Sequence, residues 1–317
     1  MSALHRRILV IKLGALGDFV QALGPMAAIR RHHAGAQIVL LTMAAFAAFA
    51  RRSAYFDEVW LDDRPQPLAV ARWWALRRRL VAGHFDRVYD LQTSGRTGWY
   101  FRLMGPGPRP EWSGIVRGCS HPHRNPARVR MHTLDRQADQ LRAAGIAEVP
   151  PPDLSWAKAD LSRFALPPSY ALLAPGGAAH RPAKRWPLER YADLARALVK
   201  QGLAPVVIGA RADQPLGQAV ASVSPEARDL TGATSLEDVA SLARGAAVAI
   251  GNDTGPMHIV AAAGCPALVL FSAASDPALC APRGERVVIL RRERLADLPL
   301  AAVLEALPAR PASARSA

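Results

Sequence analysis

Ile250-Gly251-Asn252-Asp253-Thr254-Gly255-Pro256-Met257-His258 joins an apolar strand end to an acidic, glycine-containing turn and then to a helix that starts around Thr254. The first amides of a helix lack internal partners and carry partial positive charge, so a turn of this kind can seat phosphate. Asp253 stands beside that seat. Its carboxylate would repel phosphate but accepts hydrogen bonds from sugar hydroxyls, so the turn reads as a nucleotide-sugar site rather than a bare phosphate site. The same residues also read as a capped helix, with Asp253 as N-cap, Pro256 in the first turn where its missing N–H costs nothing, and His258 merely near the start.

The strand-turn-helix pattern recurs outward from this stretch. Ile8–Leu13, Ile38–Leu41, Val59–Leu61 and Val88–Leu91 are short apolar runs separated by amphipathic stretches. That alternation predicts a parallel sheet with helical crossovers. The segments Pro106–Pro110 and His121–Pro126 are rich in proline and glycine and read as irregular loop, followed by a helix from about Thr133 to Gly145. Pro150-Pro151-Pro152 and Pro167-Pro168 bracket a linker. The pattern then restarts with Tyr170–Ala174 and Pro205–Ile208 as strands, and Leu188–Gln201 and Gln214–Val223 as helices. Thr234-Ser235-Leu236-Glu237 has the form of a capping box, after which Ala246–Ile250 is the strand that delivers the acidic turn. Ala267–Phe271 and Val287–Leu290 complete the sheet, and a final helix spans about Leu295–Leu307. The remaining tail of Pro, Ala, Arg and Ser is expected to be disordered.

At 317 residues and 50% hydrophobic, the chain suits two domains of ordinary size, each with its own core. Cys119, Cys265 and Cys280 are too few and too scattered for a disulfide framework or a structural zinc site, which fits a reducing cytoplasm. The basic start and the apolar run after it read as a first strand, because the run is too short for a signal peptide and soon meets Gly17-Asp18. No apolar stretch of about 18 residues occurs, so a soluble or membrane-peripheral protein is expected. The net charge of +14 and pI of about 10.8 suit a polyanionic partner or an arginine-rich genome. Basic residues crowd the first half, as in Arg77-Arg78-Arg79 and the stretch from Arg117 to Arg130. An anionic macromolecular or lipid ligand would therefore meet that half. Nucleic acid would be attracted too, but no zinc-finger, basic-zipper or RNA-recognition signature accompanies the charge.

Two further turns could carry chemistry. The first strand ends in Lys12-Leu13-Gly14-Ala15-Leu16-Gly17-Asp18, with a helix expected from about Phe19. This Gly-x-x-Gly-Asp pattern is not a dinucleotide fingerprint, and no acidic residue closes the next strand at Leu40-Leu41-Thr42. It leaves Asp18 at the carboxyl edge of the sheet, where it either serves as a general base or caps the helix on its own backbone amides. The second turn, Ala174-Pro175-Gly176-Gly177 through Lys184-Arg185-Trp186-Pro187, is either a polyphosphate cradle or a basic surface cluster, with Trp186-Pro187 packing the loop against the next helix. It lacks the spacing of a Walker loop. His32-His33, His121, His123 and His132 stand near arginines without paired carboxylates, and no Asp-x-Asp is present, so no metal site is expected. Asp62-Asp63 reads as a solvated loop pair, and no Gly-x-Ser-x-Gly elbow occurs.

With these segments placed, the chain resembles glycosyltransferase family 9, the bacterial ADP-heptose:lipopolysaccharide heptosyltransferases. Four segments carry the resemblance in order over nearly the whole chain: Ile11–Asp18, Tyr89-Asp90-Leu91-Gln92, Pro175-Gly176 through Lys184–Pro187, and Gly251–His258. The resemblance implies an α/β GT-B architecture of two Rossmann-like domains facing a central cleft. Residues 1–160 would bind the acceptor and residues 161–308 the nucleotide sugar, with the final helix free to pack back on the first domain and residues 309–317 as the tail.

By position, the resemblance makes Asp18 the catalytic base, Lys184 a diphosphate ligand and Asp253 a ligand of the transferred sugar. Thr254, Gly255 and His258 would line the diphosphate, and Asp213 would meet the nucleotide ribose. Gly17, Asp90 and Gln92 would lie on the acceptor side. Ala179 and His180 stand where some members carry hydroxyl residues, a departure that bears on the diphosphate contacts. The implied activity is inverting transfer of heptose from ADP-heptose to a lipopolysaccharide core, without metal or cofactor. The expected setting is cytoplasmic, with peripheral contact at the inner membrane and no nucleic-acid partner. The alternatives are another nucleotide sugar or acceptor on the same scaffold, and a noncatalytic polyanion binder using the basic first half.

Overall fold

Runs such as Leu9-Val10-Ile11 and Leu172-Leu173-Ala174 are buried on both faces, as strands sandwiched between layers of helices must be. The computed structural model describes residues 6–178, 180–222 and 224–308, and the chain divides into two compact units between Pro152 and Asp153, a few residues ahead of the expected boundary.

The first unit runs β1 (Arg7–Ile11), α1 (Leu16–Gln21), α2 (Leu23–His32), β2 (Gln37–Thr42), α3 (Ala44–Arg52), β3 (Glu58–Leu61), α4 (Val70–Ala82), β4 (Arg87–Asp90), α5 (Gly95–Leu103), β5 (Glu111–Gly114), β6 (His121–Pro122) and α6 (Thr133–Ala143). Its strands are parallel in the order β3-β2-β1-β4-β5-β6. The second unit runs β7 (Tyr170–Ala174), α7 (Leu188–Lys200), β8 (Ala204–Val207), α8 (Gln214–Ser222), β9 (Arg228–Asp229), α9 (Leu236–Gly245), β10 (Val248–Asn252), α10 (Gly255–Ala262), β11 (Ala267–Phe271), α11 (Pro277–Cys280), β12 (Val287–Arg291) and α12 (Leu300–Glu305). Its parallel order, β12-β11-β10-β7-β8-β9, is the same doubly wound sequence repeated. The α/β two-domain class expected from the sequence is the one observed. Strand order reverses between β1 and β4 in the first sheet and between β7 and β10 in the second, and crevices outside the carboxyl ends of strands form at such points.

Each unit has its own core. Leu9, Leu41, Val88, Tyr100 and Trp112 belong to the first, and Leu173, Trp186, Tyr191, Leu194 and Leu270 to the second. Trp186 lies edge-on to Tyr191 at 5.1 Å and donates through Nε1 to the Leu298 carbonyl at 2.9 Å, so it packs its loop against α7 as expected.

Local readings needed correction in several places. The second segment read as irregular loop begins with β6, and β5, with Trp112 wholly buried, lies between the two segments where no strand was expected; both strands are too short to show a period. The capping box lies one residue on from the expected one: Ser235 caps α9 and Asp238 closes the box, because the helix starts at Leu236. Asp62 is not solvated. It is buried, accepting from Tyr100 Oη at 2.6 Å and the Arg64 amide at 2.7 Å. His123 does have a carboxylate partner, Asp139 at 2.8 Å. The final helix is shorter than expected, and its wholly buried Val303 belongs to the second unit's core. Ala179 and the tail at 309–317 lie outside the described residues.

Candidate active site

Where the first sheet reverses, two turns meet. The first follows β1 and carries Asp18. The helix starts earlier than the sequence suggested, at Leu16 with Ala15 as N-cap, so Asp18 falls inside the first turn rather than ahead of it, and no side chain caps the helix. This removes the reading of Asp18 as a cap. Its charge still suits the positive end of the helix. The carboxylate instead lines a cavity of about 600 Å³ with Gly14, Met43, Phe46, Arg64, Gln92 and Arg96 among its walls. Gly14 has φ of +124°, and a Cβ there would lie 2.9 Å from the Phe46 ring, so only glycine fits. Gly17, in the same turn of helix, is partly exposed.

The second turn follows β4 and is tied to the first. Gln92 Oε1 accepts from the Leu13 amide at 2.9 Å, and Lys12 Nζ donates to the Leu91 carbonyl at 3.2 Å. Asp90 is buried, and its Oδ1 accepts from the amides of Gln92 at 3.1 Å and Thr93 at 2.8 Å. Burial pushes the Asp90 carboxyl up to about 6 against the hydrogen bonds from Thr97 and the loop amides and the attraction of Lys12. Burial likewise lowers the Lys12 pKa, opposed by the charges of Asp18 and Asp90. A buried lysine thus lies in the field of both carboxylates. Gln92 therefore orders the wall on which Asp18 sits, and Asp90 orders the loop that carries Gln92.

At the reversal of the second sheet, Asp253 follows β10. The N-cap of α10 is Thr254, without a side-chain cap bond, so Asp253 is not the cap either. Its Oδ2 accepts from Lys184 Nζ at 2.5 Å and Ser275 Oγ at 2.6 Å. Both members of the Lys184–Asp253 pair are largely buried, with side-chain exposures of 12% and 8%. The ammonium assigned to the diphosphate is thus held by the carboxylate assigned to the sugar. Thr254 and Gly255 are partly exposed beside it, whereas His258 is buried one turn further in.

The loop bearing Lys184 is pinned by Asn252, the wholly buried last residue of β10. Asn252 Oδ1 accepts from the Trp186 amide at 3.0 Å and Tyr191 Oη at 3.1 Å, while Nδ2 donates to the carbonyls of Pro175 at 2.8 Å and Gly176 at 3.2 Å. Its full hydrogen-bonding capacity joins β10 to the β7 loop and to α7. Asp213 lies over the same edge. Its Oδ2 accepts from the Ala210 amide at 3.0 Å, and a Cβ on Gly176 would meet its carboxylate at 2.5 Å, so the glycine lets Asp213 approach the β7 end closely.

Sequence reasoning named Asp18 and Asp253 but missed Asn252 and Ser275 as functional supports. A polar residue closing a strand of otherwise apolar, fully buried residues was the available signal for Asn252. Ser275 had none, since it arrives from the loop between β11 and α11. Among the described residues no cluster of three or more His, Cys, Asp or Glu could hold a metal.

Comparison with known proteins bears on the family and the fold. The sequence model of glycosyltransferase family 9 (heptosyltransferase) matches residues 73–300. Lipooligosaccharide heptosyltransferase 2 of Haemophilus influenzae is 35% identical over 120 residues, which is 36% of this chain and 34% of that protein. Lipopolysaccharide heptosyltransferase 2 of Escherichia coli K12 is 28% identical over 234 residues, 65% of each. The matches thus span from about a third to 65% of the length of these curated relatives. The solved structure of E. coli ADP-heptose lps heptosyltransferase II superposes with a TM-score of 0.77 at 23% identity, covering 94% of this chain and 96% of that one, so the two share the GT-B type of fold.

Proposed function

The chain belongs to glycosyltransferase family 9, and from that premise we propose that it transfers heptose from ADP-heptose to a hydroxyl of an anionic lipopolysaccharide-core acceptor, with inversion. The observation that carries the proposal is Asp18: a carboxylate at a sheet reversal, released from capping and facing a cavity of about 600 Å³. A carboxylate with an open approach is what a general base requires.

In this reaction Asp18 takes the proton of the acceptor hydroxyl as that oxygen bonds to the anomeric carbon. The bond from that carbon to the diphosphate breaks on the opposite face, and ADP leaves with the electron pair. Arg64 and Arg96, on the same cavity wall, favour an anionic acceptor. Asp253 holds the sugar hydroxyls. Lys184 and the amides at Thr254 and Gly255 meet the charge on the departing diphosphate, so the step is written without a metal. The ADP-heptose donor is supported by the description of the solved relative. On this reading the enzyme works at the cytoplasmic face of the inner membrane. Among the described residues no helix is long and apolar enough to cross a membrane.

The test is a mass-spectrometric assay of the purified chain with ADP-heptose and truncated core acceptors. One added heptose per acceptor with stoichiometric ADP release, unaffected by EDTA, is expected. Transfer only from a UDP- or GDP-sugar would replace the donor, and a melting temperature raised by UDP or GDP but not by ADP would do the same.

A further inference from the structure

Surface helices of globular proteins turn their apolar stripe inward. Helix α7 obeys, burying Tyr191, Leu194, Ala195 and Leu198 while Glu189, Arg190 and Arg196 face solvent. Helix α4 does not. Of its residues only Leu80 is buried, while Val70, Trp74 and Val81, spaced to share one side, are 64%, 62% and 42% exposed. The turn ahead of the helix adds Leu68, 93% exposed, and the neighbouring α5 adds Trp99, 56% exposed. Between the start of α4 and α5 an apolar cavity of about 450 Å³ opens, lined by Pro67, Trp73, Arg96, Trp99 and Leu103.

The charges interleaved with these residues say what covers them. Neither α4 nor α5 contains Asp or Glu, whereas α4 carries Arg72, Arg77, Arg78 and Arg79 and α5 carries Arg96 and Arg102. The guanidinium of Arg77 lies 5.5 Å from the Trp74 ring centroid and that of Arg102 lies 4.7 Å from that of Trp99. Tryptophan settles at the boundary between lipid headgroups and acyl chains, and arginine pairs with phosphate. An apolar face mixed with arginine and free of acid therefore matches a negatively charged lipid surface. We infer that the α4–α5 face, centred on Leu68, Trp74 and Trp99, docks the first unit onto an anionic phospholipid bilayer. Leu68 and Trp74 enter the headgroup region, while Arg78, one turn on from Trp74, meets lipid phosphate. The contact is peripheral, because no described helix can span a membrane.

The experiment is co-sedimentation of the full chain with vesicles of phosphatidylcholine alone or mixed with phosphatidylglycerol. Binding is expected only to the mixed vesicles and should weaken as salt rises. A Leu68→Asp/Trp74→Ala double variant should bind about tenfold more weakly at an unchanged melting temperature. An Arg190→Ala/Arg196→Ala control, which removes two cations from the outward face of α7, should bind like wild type. Absence of wild-type binding to mixed vesicles, undiminished binding by the double variant, or an equal loss in the control would overturn the assignment. So would self-association without vesicles that Trp74→Ala abolishes, since the face would then belong to a second copy. The measurement uses neither donor nor acceptor, so its failure and a failure of sugar transfer are told apart.

Discussion

The turn after β1 and the turn after β10 both set an acidic residue where a strand hands over to a helix beside a sheet reversal, yet Asp18 lines a cavity while Asp253 is gripped by Lys184 and Ser275. Both turns are cross-linked to the strand on the other side of the reversal, the first through Gln92 and Lys12, the second through Asn252. The contrast lies in what the carboxylate is left to do. A group that must accept a proton needs an open approach, whereas a group that must hold a sugar in one pose benefits from being immobilised beforehand.

The sharpest way to break this contrast is Asp18→Asn. The amide keeps the shape but cannot take a proton, so turnover should fall about a hundred- to ten-thousand-fold. Affinity for ADP, measured by calorimetry, should hold. Loss of ADP binding together with turnover would contradict the role of Asp18 as the base.

Asn252→Ala tests whether the second turn depends on its cross-link. It strands the buried Trp186 amide and the carbonyls of Pro175 and Gly176, at a cost of about 3–4 kcal/mol in urea unfolding. An effect well under 1 kcal/mol would show that the β7 loop holds itself.

The first turn's support makes a prediction in pH. Asp90 carries a carboxyl pushed by burial from 3.8 to about 6. Because the folded protein binds this proton more tightly than the unfolded chain, the group's stabilisation is complete below 3.8 and is lost as pH rises through about 6. Asp90→Asn cannot titrate. Across that window the wild type should therefore lose stability relative to the variant, by about 3 kcal/mol. A difference that stays flat with pH would mean that Lys12 and the loop amides fully compensate the burial.

Lys184→Ala should show the smallest effect, because on the proposed reading helix-start amides also meet the diphosphate. A loss of about 2 kcal/mol in ADP binding, roughly thirtyfold in the dissociation constant, is expected from one charge-assisted hydrogen bond. An unchanged constant would confine Lys184 to holding Asp253.

The strands and their order of appearance were legible because parallel strands buried on both faces are continuous apolar runs, as at Ile38–Leu41 and Ala267–Phe271. Short edge elements escaped. β5 is four residues with a single strong strand former, Trp112, and β6 is two residues, and neither is long enough to show a period. Helix starts were misplaced by one to three residues at Asp18, Ser235 and Thr254, since neighbouring polar residues could have capped the latter two and the first is capped by Ala15, which carries no polar signal.

By itself the sequence determined the two-unit α/β class and the family, and singled out Asp18, Lys184 and Asp253 as candidates, because apolar periodicity and motif order are local properties of the chain. Only the tertiary structure decided that Asp18 faces a cavity, that Lys184 and Ser275 converge on Asp253, and that Asn252 ties two strands together. Those contacts join residues far apart in the chain, and whether a side chain is capped, paired or exposed depends on what the fold brings beside it.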